Sequence, residues 1–177
     1  MRVATRAKAA SRRAKFSVRL AGIGLTSAVA LGLAAGPASA QPGPPSGEGV
    51  QPIECAPGNP ACPDGNPTFA DLEEYGFGDF PCLGGPIRIE NPQEGDQAGP
   101  VTITNIDPDN TFDFTVDEDF AVIGVIVKGG PNANVYDYRP NGIQEDTNLH
   151  APVNPNNNTF YGLSYIDFCY VPDGNNT

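Results

Sequence analysis

From residue 86 onward, apolar and polar positions alternate with a period of two. PIRIE sets Ile87 and Ile89 on one face, and VTITN pairs Val101 with Ile103. TFDFTV sets Phe112, Phe114 and Val116 against Asp113 and Thr115. Successive side chains of a strand point to opposite faces, so each segment reads as a half-buried strand. FAVIGVIVKG breaks the alternation, because Val122, Ile123, Val125, Ile126 and Val127 crowd together with no polar residue among them. That pattern predicts a central strand covered on both sides. NVYDY and FYGLSYIDFCYV read as later strands, with the polar NPNNN as a loop between them. EGDQAGP and DPDN are turn clusters.

One stretch carries helical spacing. In TFADLEEYG, Thr68 is the N-cap and Asp71 lies in the first turn. Phe69, Leu72 and Tyr75 share a face, and Gly76 ends the helix. About six or seven short strands with one short helix predict an all-β fold, a small antiparallel β-sandwich over residues 68–172. Lys128-Gly129-Gly130-Pro131 falls where the central strand must leave the sheet and reverse. It is no phosphate loop, because that motif needs G-x-x-x-x-G-K-[ST] leading into a helix. Lys128 is expected to lay its stem on apolar surface with its ammonium in water near carboxylates, so that Lys128→Gln is close to neutral.

Residues 41–67 contain eight prolines and few apolar side chains. By composition they are a linker, largely disordered, because such a segment buries too little to offset its ordering entropy.

The N-terminus changes the charge reading. Residues 1–19 hold seven basic side chains and no acid, followed by a short apolar run that ends in PASA. This is the pattern of a secretory signal over residues 1–40, cleaved between Ala40 and Gln41. Sec is the favoured route. SRRAKF has the twin arginine of the Tat motif, but its Phe sits one place late. The whole chain carries net charge −11; without the signal, three basic residues (Arg88, Lys128, Arg139) face 21 acidic ones, a net of −18. Such a surface disfavours nucleic acid and anionic lipid as partners and attracts cations. No second apolar run is present to serve as a membrane anchor, and 173–177 read as a polar tail. The expected setting is outside a bacterial cell, with a cell-wall or extracellular glycan or protein as partner. The sequons at Asn157 and Asn175 carry no weight in that setting.

Cys55, Cys62, Cys82 and Cys169 all lie in the exported part. An even count outside the cytoplasm reads as disulfides, and zinc ligation fits the spacing poorly. Of the three pairings, Cys55–Cys62 with Cys82–Cys169 is favoured. It closes a small Pro- and Gly-rich loop and ties the first strand region to the last.

VIVKGGPNANVYDY, followed by DTNLHAPVNPNNNTFYGLSYIDFCY, resembles a module recurring in secreted and surface proteins of bacteria. Its pattern is V-I-V-K-G-G…N-V-Y-x-Y with a later D-x-x-L-H-x-P-x-N…G-L-S-x-I-x-F-C-Y. The resemblance spans roughly residues 100 to 170 and implies a compact extracellular β-domain, with no activity or catalytic residue to carry over. The usual ending has His where this chain has Tyr165.

Candidate chemistry is sparse. His150 is the single histidine, and outside the signal there are two serines, Ser46 and Ser164. GLSYI lacks the second glycine and the following helix of a nucleophile elbow. The plainer reading is that LHAPVN is an ordered loop with His150 bonded to backbone. Calcium is the better-founded metal, since hard cations take several oxygens. Asp107, Asp109, Asn110 and Asp113, with Asp117 and Asp119, offer carboxylates and an amide, though not at EF-hand spacing. The plainer reading there is an acidic turn facing water. For a sugar, the chain has no Trp, but Tyr136, Tyr138, Tyr161, Tyr165 and Tyr170 offer stacking faces and hydroxyls. The plainer reading places half of them in the core. Lys128 and His150 complete the candidate ligand contacts. No cofactor is implied beyond that calcium.

The leading expectation is therefore a secreted, non-enzymatic structural or surface-interaction module. The alternative is a small carbohydrate-binding protein assisted by calcium, and a hydrolase stands third.

Overall fold

The computed structural model describes residues 41–174; the predicted signal 1–40, Asn175 and the last residues of the polar tail lie outside the described residues. In chain order the elements are β1 (Ile53–Cys55), α1 (Phe69–Glu74), β2 (Ile87–Glu90), β3 (Gln97–Ala98), β4 (Val101–Ile106), β5 (Thr111–Val116) and β6 (Phe120–Gly129). Then follow β7 (Asn132–Asp137), β8 (Glu145–His150), β9 (Val153–Asn154), β10 (Thr159–Phe160) and β11 (Leu163–Pro172). Every strand pairing is antiparallel. One sheet runs β1-β7-β6-β11-β2, the other β3-β4-β5-β8, and β9 and β10 form a separate hairpin.

The sheets stack face to face as a sandwich. Val101, Ile103, Phe112 and Phe114 of the four-stranded sheet meet Val122, Val125, Val127, Tyr136, Ile166 and Phe168 of the five-stranded one. The outer face of the larger sheet has its own cover. There Ile123, Ile126, Ala133, Val135 and Cys169 lie beneath Phe69, Leu72 and Phe80. Both faces of β6 are thus buried, which accounts for its unbroken apolar run. A bulge near Ile123, where Cys169 and Tyr170 face Gly124 and Val122, shifts the alternation by one residue.

The helix follows its local signals. The Thr68 hydroxyl accepts from Asp71 N at 3.2 Å, and Thr68 N donates to Asp71 Oδ2 at 2.8 Å, a reciprocal capping box. At the other end Phe77 N donates to Leu72 O at 3.0 Å and Gly76 N to Glu73 O at 3.1 Å, a Schellman ending. The disulfides are Cys55–Cys62 and Cys82–Cys169, as favoured from spacing. No helix among the described residues is long and apolar enough to cross a membrane.

Two expectations change. Residues 41–67 are not a disordered linker: Ile53, Glu54 and Cys55 pair with Val135, Asn134 and Ala133, and the residues before them lie against β8. The segment supplies little apolar surface of its own; it is held by backbone partners roughly a hundred positions away and by a disulfide. The second change is β8. EDTNLH has one apolar residue, and its period is broken because Phe112 and Phe114 of β5 face Leu149 and Asp146. Asn148 takes the positive φ of 58° that this bulge needs.

The β6–β7 turn is a two-residue hairpin, Gly130-Pro131, closed by the pair Gly129 and Asn132. Gly130 has φ +58°, and proline cannot follow it with a positive φ, so the turn is of the II′ kind.

Candidate functional site

The inward-facing positions of β7 are Asn132, Asn134, Tyr136 and, just beyond the strand, Tyr138. All four are buried. Period two brings them to one face, where they meet Glu54 from β1 and Asp146 and His150 from β8, likewise buried. The result is a polar cluster at one side of the sandwich, with residues 41–50 laid over it.

Nearly every polar atom in the cluster has a partner. Asn132 Nδ2 donates to Glu54 Oε1 at 2.8 Å. The Tyr136 hydroxyl accepts from His150 N at 3.0 Å and donates to His150 O at 3.2 Å. The Tyr138 hydroxyl donates to Asp146 Oδ2 at 2.6 Å. Asn134 Nδ2 donates to Pro42 O at 2.7 Å and to His150 O at 3.0 Å. His150 Nδ1 lies 2.8 Å from Ala151 O, Nε2 lies 3.0 Å from Pro44 O, and the ring stacks on Phe160 at 3.9 Å. Asn134 Oδ1 is the exception, buried without a protein partner.

Electrostatics follow from this burial. It pushes the Tyr138 and Tyr136 hydroxyls well above the usual phenol range, and the Asp146 carboxylate adds to the effect at Tyr138. It also raises Glu54, with the Asn132 bond acting against it. Burial lowers His150, partly offset by the two carbonyls and by Asp109. The unfolded chain therefore takes up the His150 proton at a higher pH than the folded one. Stability from a neutral His150 is intact above about pH 6.5 and is lost as pH falls below that value toward the folded pKa. Glu54 acts in the opposite sense, since its folded carboxyl binds a proton first, so the parent must be compared with His150→Phe. Urea midpoints are expected to fall more steeply between pH 7 and 5.5 in the parent than in the variant. Parallel curves would remove the histidine from that role.

The structure thus gathers Tyr136, Tyr138 and His150 but turns them inward, so they form no sugar platform. The ring of Tyr165 is covered by the Arg88 guanidinium, 3.7 Å from its centroid, and Tyr170 meets Phe120 edge-on. Tyr161 packs on Gly130, where an added Cβ would stand 2.5 Å from its ring. His150 is bonded to backbone as expected, but it ends strand β8 and does not lie in a loop. Neither ring nitrogen faces a hydroxyl, and Ser164 lies exposed at the start of β11 in the other sheet. Glu54, Asn132, Asn134 and Asp146 were missed. Their one signal is the alternation Asn132, Asn134, Tyr136, Tyr138 in a single strand, which puts two amides on the face of two core tyrosines.

Lys128 differs most from expectation. It is 6% exposed, and its Nζ donates to Gly130 O at 2.6 Å and Asn132 O at 3.3 Å. Burial lowers its pKa, with Asp64 acting against that. Its ammonium ties the β6–β7 turn and does not compensate surface charge. Lys128→Met leaves those carbonyls without this donor and is expected to lose about 1–3 kcal/mol, read from urea melts. A variant melting like the parent would restore the surface reading.

The six calcium candidates do not form one site. Asp107, Asp109 and Asn110 lie in the β4–β5 turn and Asp113 within β5, whereas Asp117 and Asp119 follow the far end of β5. The six residues of β5 set the turn residues about 20 Å from the Asp117 and Asp119 pair, with Asp113 partway along the strand. Asn105 Nδ2 bridges Asp107 and Asp113 at 3.1 and 3.3 Å, and Thr111 bonds Asp107 and Asp109 through its hydroxyl. Among the described residues no three His, Cys, Asp or Glu side chains converge to hold a metal. Asp109 and Asn110 do line a cleft of about 400 Å³ with Pro108, Asn158, Thr159 and Phe160.

Fold and site together define a disulfide-stapled antiparallel β-sandwich with a polar cluster sealed under its own N-terminal segment. Compared with known protein families, curated proteins and solved structures, the chain matches none.

Proposed function

We propose that this is a secreted, non-enzymatic module that serves as a structural or surface-interaction domain outside a bacterial cell. The observation that carries the reading is how the polar chemistry is spent. His150, Asn134 and Lys128 all address the chain's own carbonyls, so they hold the scaffold together. The acidic residues in turns and loops are what the scaffold presents. The bacterial-module resemblance and the signal pattern support the same setting.

The alternative, a carbohydrate-binding protein assisted by calcium, has support at one place. The cleft beside Asp109 and Asn110 is lined by a carboxylate, amides and Phe160. Cell fractionation of the exported protein and a glycan array with and without calcium separate the readings. The proposed function expects retention on the wall or capture of a protein, with no glycan class bound. Reproducible binding to one glycan class overturns it, and loss of that binding on chelation assigns calcium to the cleft.

A further inference from the structure

The segment over the polar cluster, residues 41–48, is held almost wholly through its backbone. Gln41 O accepts from Val153 N at 2.8 Å, and Pro42 O accepts from Asn134 Nδ2 at 2.7 Å. Pro44 O lies 3.0 Å from His150 Nε2. Gly47 N donates to Thr147 O at 2.7 Å, and Glu48 N donates to Asp146 Oδ1 at 2.9 Å. The receiving groove therefore reads mainly backbone, along a segment that bends at Gly43. Proline has no N–H, so Pro42 and Pro44 offer only carbonyls, and the groove meets them with side-chain nitrogens. Proline also presets the extended backbone and lowers the entropy lost on docking. Glycine is required at two points: Gly43 has φ +93° and a Cβ there would stand 2.5 Å from His150 Cε1, and a Cβ on Gly47 would collide with the Thr147 hydroxyl and stand 3.3 Å from Thr147 O.

Two features make the segment detachable. Ser46 is its one buried residue, so docking covers little apolar surface. It ends in a turn, Gly49 N donating to Ser46 O and Ser46 N to Val50 O, and Gly49 at φ +83° supplies the hinge. It lies along β8, an edge strand of the four-stranded sheet. Lifting it off uncovers that edge together with Asn134 and His150. Asn134 then loses Pro42 O as an acceptor, and its Oδ1, unpartnered while the strap is seated, meets solvent.

We propose that this groove is a docking site for a proline- and glycine-rich chain, and that its partner in trans is residues 41–48 of a second copy. Each molecule closes its own groove at low concentration. At high local concentration the straps exchange, each passing from its hinge to the neighbouring β8, and copies become joined without a new interface. The proposal stands on the groove geometry and does not depend on what the module binds elsewhere.

The test uses two variants of the exported chain. Gly47→Val has a strap that cannot seat and an intact groove. Asn134→Leu combined with His150→Phe has an intact strap and a groove stripped of its side-chain readers. Each alone is expected to sediment as a monomer, and an equimolar mixture is expected to give a 1:1 dimer. A synthetic peptide of residues 41–49 should bind Gly47→Val and compete with that dimer. It should bind the double variant at least tenfold more weakly. A mixture that stays monomeric, or a peptide that ignores Gly47→Val, with circular dichroism showing both variants folded, overturns the proposal. If a variant fails to fold, hydrogen exchange on the parent decides. The Gly47 and Glu48 amides must exchange at least a hundredfold faster than those of β6. Exchange only through global unfolding would make the strap a fixed part of the core and end the proposal.

Discussion

Replacing Cys82 and Cys169 together by alanine is expected to lower stability by about 4–5 kcal/mol, the larger of the two disulfide effects. The bond closes a loop with a sequence separation of 87, against 7 for Cys55–Cys62. In the chain-entropy account, the constraint on the unfolded state grows with the logarithm of loop length, giving about 4–5 kcal/mol for the long loop and about 2–3 for the short one. The native geometry reinforces the expectation. Cys169 is fully buried on β11 beside the outer core, and Leu83 N, next to the bridge, donates to Tyr170 O at 2.8 Å. Without the bond, the segment after α1 is held to the last strand chiefly by such contacts. Domains of this size have total stabilities of about 5–15 kcal/mol, so the loss is a large fraction of the whole. Urea melts of the two double variants provide the check. The Cys82/Cys169 variant should have the lower midpoint, by a margin on the order of 5–10 °C in thermal scans. A Cys55/Cys62 variant that is equally or more damaged would show that strain or native contacts outweigh loop entropy here.

Gly130→Val is expected to be the most damaging single substitution in the β6–β7 hairpin, at about 2–6 kcal/mol. Two independent terms add. A β-branched residue at φ +58° occupies a region that L side chains avoid, costing about 1–3 kcal/mol. Its side chain also meets the Tyr161 ring, where the Cβ alone would stand 2.5 Å from Cδ1, and overpacking of that kind costs about 1–3 kcal/mol. Gly129→Val carries the steric term alone. A Cβ there would stand 2.5 Å from Ala151 Cβ and 2.8 Å from Gly162 O, and a backbone oxygen cannot turn aside. Gly130→Val combined with Tyr161→Ala separates the two terms. The double variant should recover the overpacking part and keep the strain. If both single glycine variants melt like the parent, the tight-turn account of this hairpin is wrong.

Much of this protein was determined by its sequence alone, and the reason is locality. The caps of α1, the alternation in β2, β4 and β5, the doubly covered β6 and the glycine turn after it follow rules acting over a few residues. The disulfide pairing could be favoured from loop size alone. Tertiary structure decided the remainder. Residues 41–55 and β8 lack apolar periodicity and order only because partners far along the chain accept their backbone. Whether Lys128 faces water or the turn carbonyls depends on what covers the outer face of the sheet. The inward turn of Tyr136, Tyr138 and His150 depends on a register between strands that no single strand carries. The calcium candidates are divided for a related reason. They are near in sequence, but the length of β5 sets the Asp117 and Asp119 pair away from the β4–β5 turn.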